Sequence, residues 1–251
     1  MLRWDSLKVR PVMLAVLLLW TLTMVLTPIV GWIWGGAALR GAIQAGVLLQ
    51  VAAVLTALSL HSGRRTLVPV GVVLPLAWLA EFVGSHTGLP FGRYSYTDAL
   101  QPQLGDVPLL IPLAWLMMLP PAWAVADLLT PHHPRWRKAL VAALAFTAWD
   151  LFLDPQMVAW DFWRWHEPGV YFGIPLLNYF GWLLVSFLIT YAALPTDLPR
   201  GSLLTIYIIT WVLQTIGQAF FWSMPGPAAF GFVGMGLFAV LALRAYRILR
   251  P

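Results

Sequence analysis

Eight long apolar segments are the feature of this sequence that most constrains its fold. Each approaches the roughly 20 mostly apolar residues that a helix needs to cross the hydrocarbon core of a bilayer. The sequence therefore predicts an all-α, polytopic integral membrane helix bundle of about eight transmembrane helices, forming one domain over residues 1–251. The predicted spans are residues 12–34, 38–60, 67–84, 107–129, 138–154, 174–194, 203–222 and 228–246.

Composition excludes several other classes of protein. Hydrophobic residues make up 60% of the chain and charged residues only 10%, against about 45–50% and about 25% in ordinary soluble domains. Basic residues are scattered between the apolar segments, so no nucleic-acid partner is expected. Cysteine is absent, which excludes thiol chemistry, and the histidines lack the spacing of a metal site. We predict no metal and no other cofactor.

The basic residues predict the orientation of the chain. With eight crossings, the connecting segments on one side carry twelve basic residues and those on the other side carry three, Arg40, Arg93 and Arg164. Basic segments stay in the cytoplasm, which predicts a multi-pass protein of the cell membrane with both termini cytoplasmic. The first apolar segment exceeds the roughly 7–15 residues of a signal-peptide core, so it is interpreted as a transmembrane helix. The twelve are Arg3, Lys8, Arg10, Arg64, Arg65, Arg135, Arg137, Lys138, Arg200, Arg244, Arg247 and Arg250.

Acidic residues show the opposite distribution, and two of them form the most specific pattern in the chain. Asp150 and Asp154 are four residues apart in the fifth predicted span, so both carboxyl groups lie on one helix face. A carboxyl inside a membrane helix costs about 2.5–3.5 kcal/mol. Two neighbouring carboxyls in unequal surroundings tend to separate into one neutral acid and one ionised base. A simpler alternative for Asp154, which precedes Pro155, is that it faces interfacial water.

Glu81 is the acidic residue inside the third predicted span. Ionisable residues within membrane helices are functional candidates by default, although a structural hydrogen bond to a neighbouring helix would also explain it. Asn178 begins the sixth span, and Gln214 and Gln218 lie four apart on the seventh. Hydrogen bonding between helices explains the two glutamines adequately.

The two longest connections lie on the outer side and are rich in glycine, proline and aromatic residues. One of them presents Arg93, Tyr94 and Tyr96, and we expect Arg93 to pair with an acid such as Asp98 or Asp106. The alternative is an ordinary aromatic belt, in which Trp and Tyr lie at the depth of the lipid headgroups.

Four segments of the chain resemble the CruF-type carotenoid 1,2-hydratases. They are residues 81–100 (EFVGSHTGLPFGRYSYTDAL), 107–115 (VPLLIPLAW), 149–157 (WDLFLDPQM) and 162–182 (FWRWHEPGVYFGIPLLNYFGW), and together they span roughly the middle 40% of the chain. The resemblance implies an integral membrane enzyme that adds water to the acyclic end of a carotenoid, without an organic cofactor. The substrate would then be a carotenoid that enters from the bilayer.

Acid catalysis suits these residues. Adding water across an isolated trisubstituted alkene requires a neutral acid that can generate a tertiary carbocation, and aromatic faces can stabilise that cation. We predict Asp150 as the acid and Asp154 as the base that directs water, with Glu81 as the alternative acid. The predicted substrate-binding residues are Arg93, Tyr94, Tyr96, Trp149, Trp160 and Asn178.

Three other functions stay open at this stage. A proton-coupled transporter also places carboxyls within helices, but the repeats or interrupted helices typical of that class are not evident. A membrane prenyltransferase would need Asp-rich motifs that bind magnesium and pyrophosphate, and a single Asp-x-x-x-Asp is a poor match. A non-catalytic scaffold that assembles other carotenoid-pathway enzymes is the third alternative. Membrane lipid is an expected partner in every case.

Overall fold

A computed structural model describes residues 11–194 and 197–248. These residues form a bundle of seven α-helices with four short β-strands in the connections, so the predicted all-α membrane bundle is confirmed. Arg3, Lys8, Arg10 and Arg250, which contributed to the predicted orientation, lie outside the described residues. The helices are α1 Pro11–Ser62, α2 Leu67–Thr87, α3 Leu110–Leu129, α4 Arg135–Ala159, α5 Leu176–Ala193, α6 Arg200–Ile216 and α7 Pro225–Ile248.

The number of helices differs from the predicted eight because the first two predicted spans belong to one element, α1. The 52 residues of α1 are interrupted at Gly35, where φ is 78° and ψ is −171°. A Cβ atom on Gly46 would lie 3.3 Å from Sδ of Met24, and one on Gly31 would lie 3.3 Å from Cδ1 of Leu39. Residues equally far from Gly35 on its two sides are therefore neighbours. The chain folds back at this glycine, because a residue without a side chain adopts a positive φ readily.

Five segments of the described chain are long and apolar enough to cross a membrane. They are Pro11–Thr87, Leu110–Leu129, Leu176–Ala193, Arg200–Phe221 and Pro225–Ile248. Helix α4 is not among these segments, since it begins with basic residues and contains Asp150 and Asp154. It lies inside the bundle instead, where it packs against α3, α5 and α7. Neighbouring helices shield its polar groups from lipid, which is how membrane proteins accommodate such residues.

One end of the bundle carries the longest connections, and we call it the loop end. Helices α2 and α4 finish there, and α3 and α5 begin there. Helix α2 packs against α3 and α5, while α1 packs against α3 and α6. At the opposite end the Asp127 carboxylate accepts from Lys138 Nζ and Arg200 Nε, each at 2.6 Å. This cluster ties α3, α4 and α6 together.

Two strands from different connections pair at the loop end. Strand β1 (Tyr94–Tyr96) is antiparallel to β4 (Trp163–Trp165), with Tyr94 opposite Trp165 and Tyr96 opposite Trp163. Since alternate residues of a strand share a face, both tyrosines and both tryptophans lie on the same side. We call this pair of strands the aromatic ribbon. Strands β2 (Gln103–Leu104) and β3 (Val107–Pro108) form a separate hairpin before α3. The all-α prediction did not include these strands.

Phe91 fixes the distance between α2 and α5. A Cβ atom on Gly84 of α2 would lie 2.5 Å from Cδ2 of Phe91, and one on Gly181 of α5 would lie 2.6 Å from Cδ1 of the same ring. The ring is 1% exposed. Both glycines are therefore required for the ring to fit between the two helices, which carry Glu81 and Asn178 respectively.

Candidate active site

Glu81 lies buried on α2, surrounded by neutral hydrogen-bond donors. Its Oε2 accepts from the hydroxyl groups of Tyr94 at 2.6 Å and Tyr96 at 2.7 Å. Its Oε1 accepts from Nε1 of Trp115 on α3 at 2.9 Å. Both carboxyl oxygens are therefore satisfied as acceptors, by donors from α3 and from the aromatic ribbon.

Asp150 and Asp154 form a second carboxyl cluster on α4, and both are fully buried. Oδ1 of Asp154 accepts from Nε1 of Trp163 at 2.7 Å and of Trp165 at 3.2 Å. The Nδ2 group of Asn178 donates to Oδ2 of Asp154 at 2.5 Å and to Oδ2 of Asp150 at 2.9 Å. Within the described part of the chain, Oδ1 of Asp150 has no hydrogen-bond partner. One amide thus joins the two carboxyls.

The aromatic ribbon connects the two clusters. Its inner face supplies two phenol donors to Glu81 and two indole donors to Asp154. None of the ion pairs formed by the described residues involves Glu81, Asp150 or Asp154. The carboxyls are therefore held by neutral donors, without a neighbouring cation to neutralise them.

The ribbon tyrosines remain protonated donors. Burial raises the pKa of Tyr94 and of Tyr96 well above the ordinary value, and the negative charge of Glu81 raises both further. A phenolate beside a carboxylate would place two like charges together in a buried site. Each phenol therefore keeps its O–H directed at Glu81.

A single cavity adjoins both clusters. Glu81, Asp154 and Asn178 line it, whereas Asp150 is bonded to Asn178 and is not part of the wall. The cavity extends between α1 and α6, and its empty space, mouth included, is about 1050 Å³. Its wall is mainly apolar and aromatic, which suits an apolar ligand. Seven tryptophans contribute to it, namely Trp115, Trp149, Trp160, Trp163, Trp165, Trp182 and Trp222.

Most of the residues predicted from sequence come together at this cavity. These residues are Glu81, Asp154, Tyr94, Tyr96, Trp149, Trp160 and Asn178. The alternative that Asp154 faces interfacial water is wrong, because its side chain is 1% exposed and accepts three hydrogen bonds. The alternative for Glu81 was a structural hydrogen bond to a neighbouring helix. The structure contains such a bond, which Trp115 of α3 donates.

Arg93 lies outside this cavity. Its side chain is exposed and absent from the cavity wall. Its predicted ion pair with Asp98 or Asp106 does not form, and Asp106 instead lies 3.6 Å from Nε2 of His86. The physical reason is strand alternation: Tyr94 points inward from the ribbon, so the residue before it points outward.

The two indole donors, Trp163 and Trp165, were not among the site residues predicted from the sequence. Each tryptophan taken alone resembles a residue of an interfacial belt. The signal that would have found them is the alternation Trp–Arg–Trp, which matches Tyr–Ser–Tyr in the other connection. Two short alternating segments of this kind predict a ribbon with one aromatic face.

The fold and the site define an integral membrane helix bundle in which buried carboxyl groups adjoin one aromatic-lined cavity. The chain belongs to the carotenoid biosynthesis protein family, which it matches over residues 42–238. It is also 36% identical over 107 residues to the bisanhydrobacterioruberin hydratase of Haloarcula japonica. That match covers 41% of this chain and 36% of the relative, so it spans about a third of the relative's length. These similarities confirm the resemblance to the CruF-type family. No solved structure matches the chain.

Proposed function

We propose that this protein is a carotenoid hydratase that adds water across the terminal 1,2 double bond of an acyclic carotenoid end group. The product is a tertiary alcohol, and the scheme needs no cofactor. The observation that carries the proposal is the pair of buried carboxyl clusters beside one aromatic-lined cavity. The family and the name of the relative support the same chemistry.

The three carboxyl groups accept different numbers of hydrogen bonds, and this difference supports a location for the catalytic proton. Glu81 and Asp154 each accept three hydrogen bonds, which suits a carboxylate. Asp150 accepts one, and its Oδ1 can carry a proton without displacing a donor. Two carboxyls that share one amide are held together at least cost when one of them is protonated. The Asp150–Asp154 pair therefore holds one proton between them.

In this scheme the proton passes from Asp150 to Asp154, and Asp154 delivers it to substrate, since Asp154 lines the cavity and Asp150 does not. The proton adds to carbon 2 of the end group, and the alkene electron pair forms the new C–H bond. The tertiary cation left at carbon 1 faces the tryptophans of the wall, whose ring faces stabilise it. Water then attacks carbon 1 and loses a proton to Glu81. This scheme makes Asp150 the proton reservoir rather than the group that touches substrate, and Glu81 the base.

The membrane setting supplies the substrate. A long apolar polyene dissolves in the bilayer, and it enters the bundle between helices so that its end reaches Asp154 and Glu81. In this proposal the chain is one integral domain crossing the cell membrane several times, with both termini in the cytoplasm. It works among membrane lipid and alongside other carotenoid-pathway enzymes.

A mass-spectrometric hydration assay in 18O-labelled water tests the proposal. Purified protein in detergent receives a carotenoid with an acyclic end and no added cofactor. We expect one labelled water in the product, and a loss of about 100-fold or more in the Asp154→Asn variant, the scale of a missing general acid. The matched control is Asp161→Asn, because Asp161 is an exposed carboxylate that pairs with Arg164 in a connection. It should retain the wild-type rate.

The remaining outcomes separate the alternatives. Labelled product from both the wild type and Asp154→Asn would support hydratase activity but reject Asp154 as the proton donor. No product from folded protein, with several acyclic carotenoids tried, would reject the hydratase. Uptake of a solute that depends on a proton gradient would then favour a transporter. Magnesium-dependent consumption of an isoprenyl diphosphate would favour a prenyltransferase, and neither activity would favour a scaffold.

A further inference from the structure

Three buried polar atoms near the end of α6 have no hydrogen-bond partner among the described residues. They are Oε1 of Gln214, Oε1 of Gln218 and Nε1 of Trp222. Gln214 and Gln218 lie four residues apart, on successive turns, and Trp222 follows them at the end of the helix. A π-helical turn, Gly217–Phe221, lies within this stretch, and such turns are frequent at functional sites. We call these three residues the α6 polar face.

The orientation of the Gln218 amide is fixed by its neighbours. Its Nε2 group donates to the backbone oxygen of Phe152 at 2.6 Å and to Oε1 of Gln156 at 3.2 Å. The opposite orientation would place two carbonyl oxygens against each other. Oε1 of Gln218 therefore points away from α4 as an acceptor, and the side chain is 0% exposed.

The α6 polar face is continuous with the cavity that contains Asp154. Gln214 and Trp222 line that cavity, and so does Gln156, which bonds to Gln218 and follows Asp154 by two residues. The Trp222 ring packs over Gly217, where a Cβ atom would lie 2.5 Å from Cζ3. Gln214 and Trp222 thus adjoin the same space as the catalytic carboxyls, and Gln218 is joined to its wall through Gln156.

Two acceptors and one donor complement a water molecule, which can donate two hydrogens and accept one. Buried polar groups without a protein partner cost free energy, and a bound water is the usual way in which they are satisfied. We propose that the α6 polar face binds the water molecule that the hydration consumes. This inference rests on the proposed function. The water donates its two hydrogens to Gln214 and Gln218 and accepts from Trp222, which leaves one lone pair on its oxygen.

A water held here explains how a mostly apolar cavity captures a carbocation. When the cation forms at carbon 1, the stored water moves onto it, the C–O bond forms from the oxygen lone pair, and the released proton goes to Glu81. Without the stored water, the cation loses a hydrogen from carbon 2 as a proton to Asp154 and the alkene is regenerated. The two fates can be counted separately in D2O, because loss of the original hydrogen leaves the added deuteron at carbon 2 of the recovered polyene.

The test compares Gln214→Met and Gln218→Met with the wild type in D2O, and measures alcohol formed and deuterium in recovered polyene. We expect alcohol formation to fall about tenfold, the effect of one lost buried hydrogen bond, and the ratio of deuterium exchange to alcohol to rise by a similar factor. Retained exchange also shows that the variant is folded and protonates substrate. The matched control is Thr215→Val, since Thr215 bonds to the Trp211 carbonyl and does not line the cavity.

Three other results would each overturn the water site. An unchanged ratio in both glutamine variants would overturn the water site. A defect confined to polyenes that already carry a hydroxyl group would show that the polar face binds substrate, and would also overturn it. A wild-type protein with neither hydration nor exchange would reject the proposed function, and the water site with it.

Discussion

Tyr94 and Trp165 lie directly opposite each other in the aromatic ribbon, yet they donate hydrogen bonds to different carboxyl groups. Their ring centroids are 5.1 Å apart. Tyr94 donates to Glu81 at 2.6 Å, and Trp165 donates to Asp154 at 3.2 Å. The ribbon therefore sets the separation between the proposed proton donor and the proposed base, although neither carboxyl belongs to it.

The two indole donors of the ribbon should contribute to the hydration rate according to their distances from Oδ1 of Asp154. Trp163 lies 2.7 Å from Oδ1 of Asp154, and Trp165 lies 3.2 Å from it. We expect Trp163→Phe, which keeps a ring but removes the N–H, to lower the hydration rate about tenfold, and Trp165→Phe to lower it less. Trp136→Phe, an exposed change at the opposite end of the bundle, serves as the control. Equal losses in both ribbon variants would contradict this order.

Removing the shared amide should weaken both the fold and the reaction. Asn178→Leu leaves Asp150 without its hydrogen bond and takes one donor from Asp154. Each buried acceptor left unpaired costs about 1–3 kcal/mol, so thermal unfolding in detergent should occur at lower temperature and hydration should fall. Ser186→Ala on the same helix removes a single local bond, to the Leu183 carbonyl, and should cost much less. An Asn178→Leu variant as stable as the wild type would contradict the prediction.

The contact of Phe91 with two helices predicts a steric effect of added methyl groups. Gly84→Ala and Gly181→Ala should each destabilise the protein by about 1–3 kcal/mol, the usual cost of overpacking. Gly71→Ala on α2 is the matched control, because a Cβ there meets no atom within 4 Å. It should be neutral or stabilising by up to about 1 kcal/mol. Combining Gly84→Ala with Phe91→Leu should recover part of the loss; no recovery would mean that Phe91 is not the cause.

The ribbon phenols should not ionise near the ordinary tyrosine pKa of about 10. Burial and Glu81 raise the pKa of Tyr94 and Tyr96, so both keep their protons as the pH rises through that value. Titrations of tyrosinate absorbance up to pH about 11 should therefore coincide for the wild type and a Tyr94→Phe/Tyr96→Phe variant. In denaturant the double variant should release less tyrosinate. A difference between the folded proteins would show that the phenols are accessible.

The sequence predicts the bundle well because membrane helices must be long and apolar, a property of each segment alone. Glu81 and Asp154 can be found in the same way, as carboxyls inside apolar segments. The donors of Asp154 cannot, since Trp163 becomes a donor only by pairing with a strand about 70 residues earlier in the chain. The predicted ion pair of Arg93 is absent among the described residues for a related reason: the direction in which a residue beside a strand points depends on how that strand pairs, and one connection alone does not reveal the pairing.

Pairing between distant connections also determines when the site can be completed during synthesis. Asp150 and Asp154 leave the ribosome before Trp163, Trp165 and Asn178, which supply every hydrogen bond that the two carboxyls accept. Until those residues follow, the acidic end of α4 has no donors of its own, and burial in lipid would be costly. We therefore expect this end of α4 to remain in contact with water or the insertion machinery until α5 has been made. The acidic centre is then a late product of membrane insertion, although its aspartates lie in the middle of the chain.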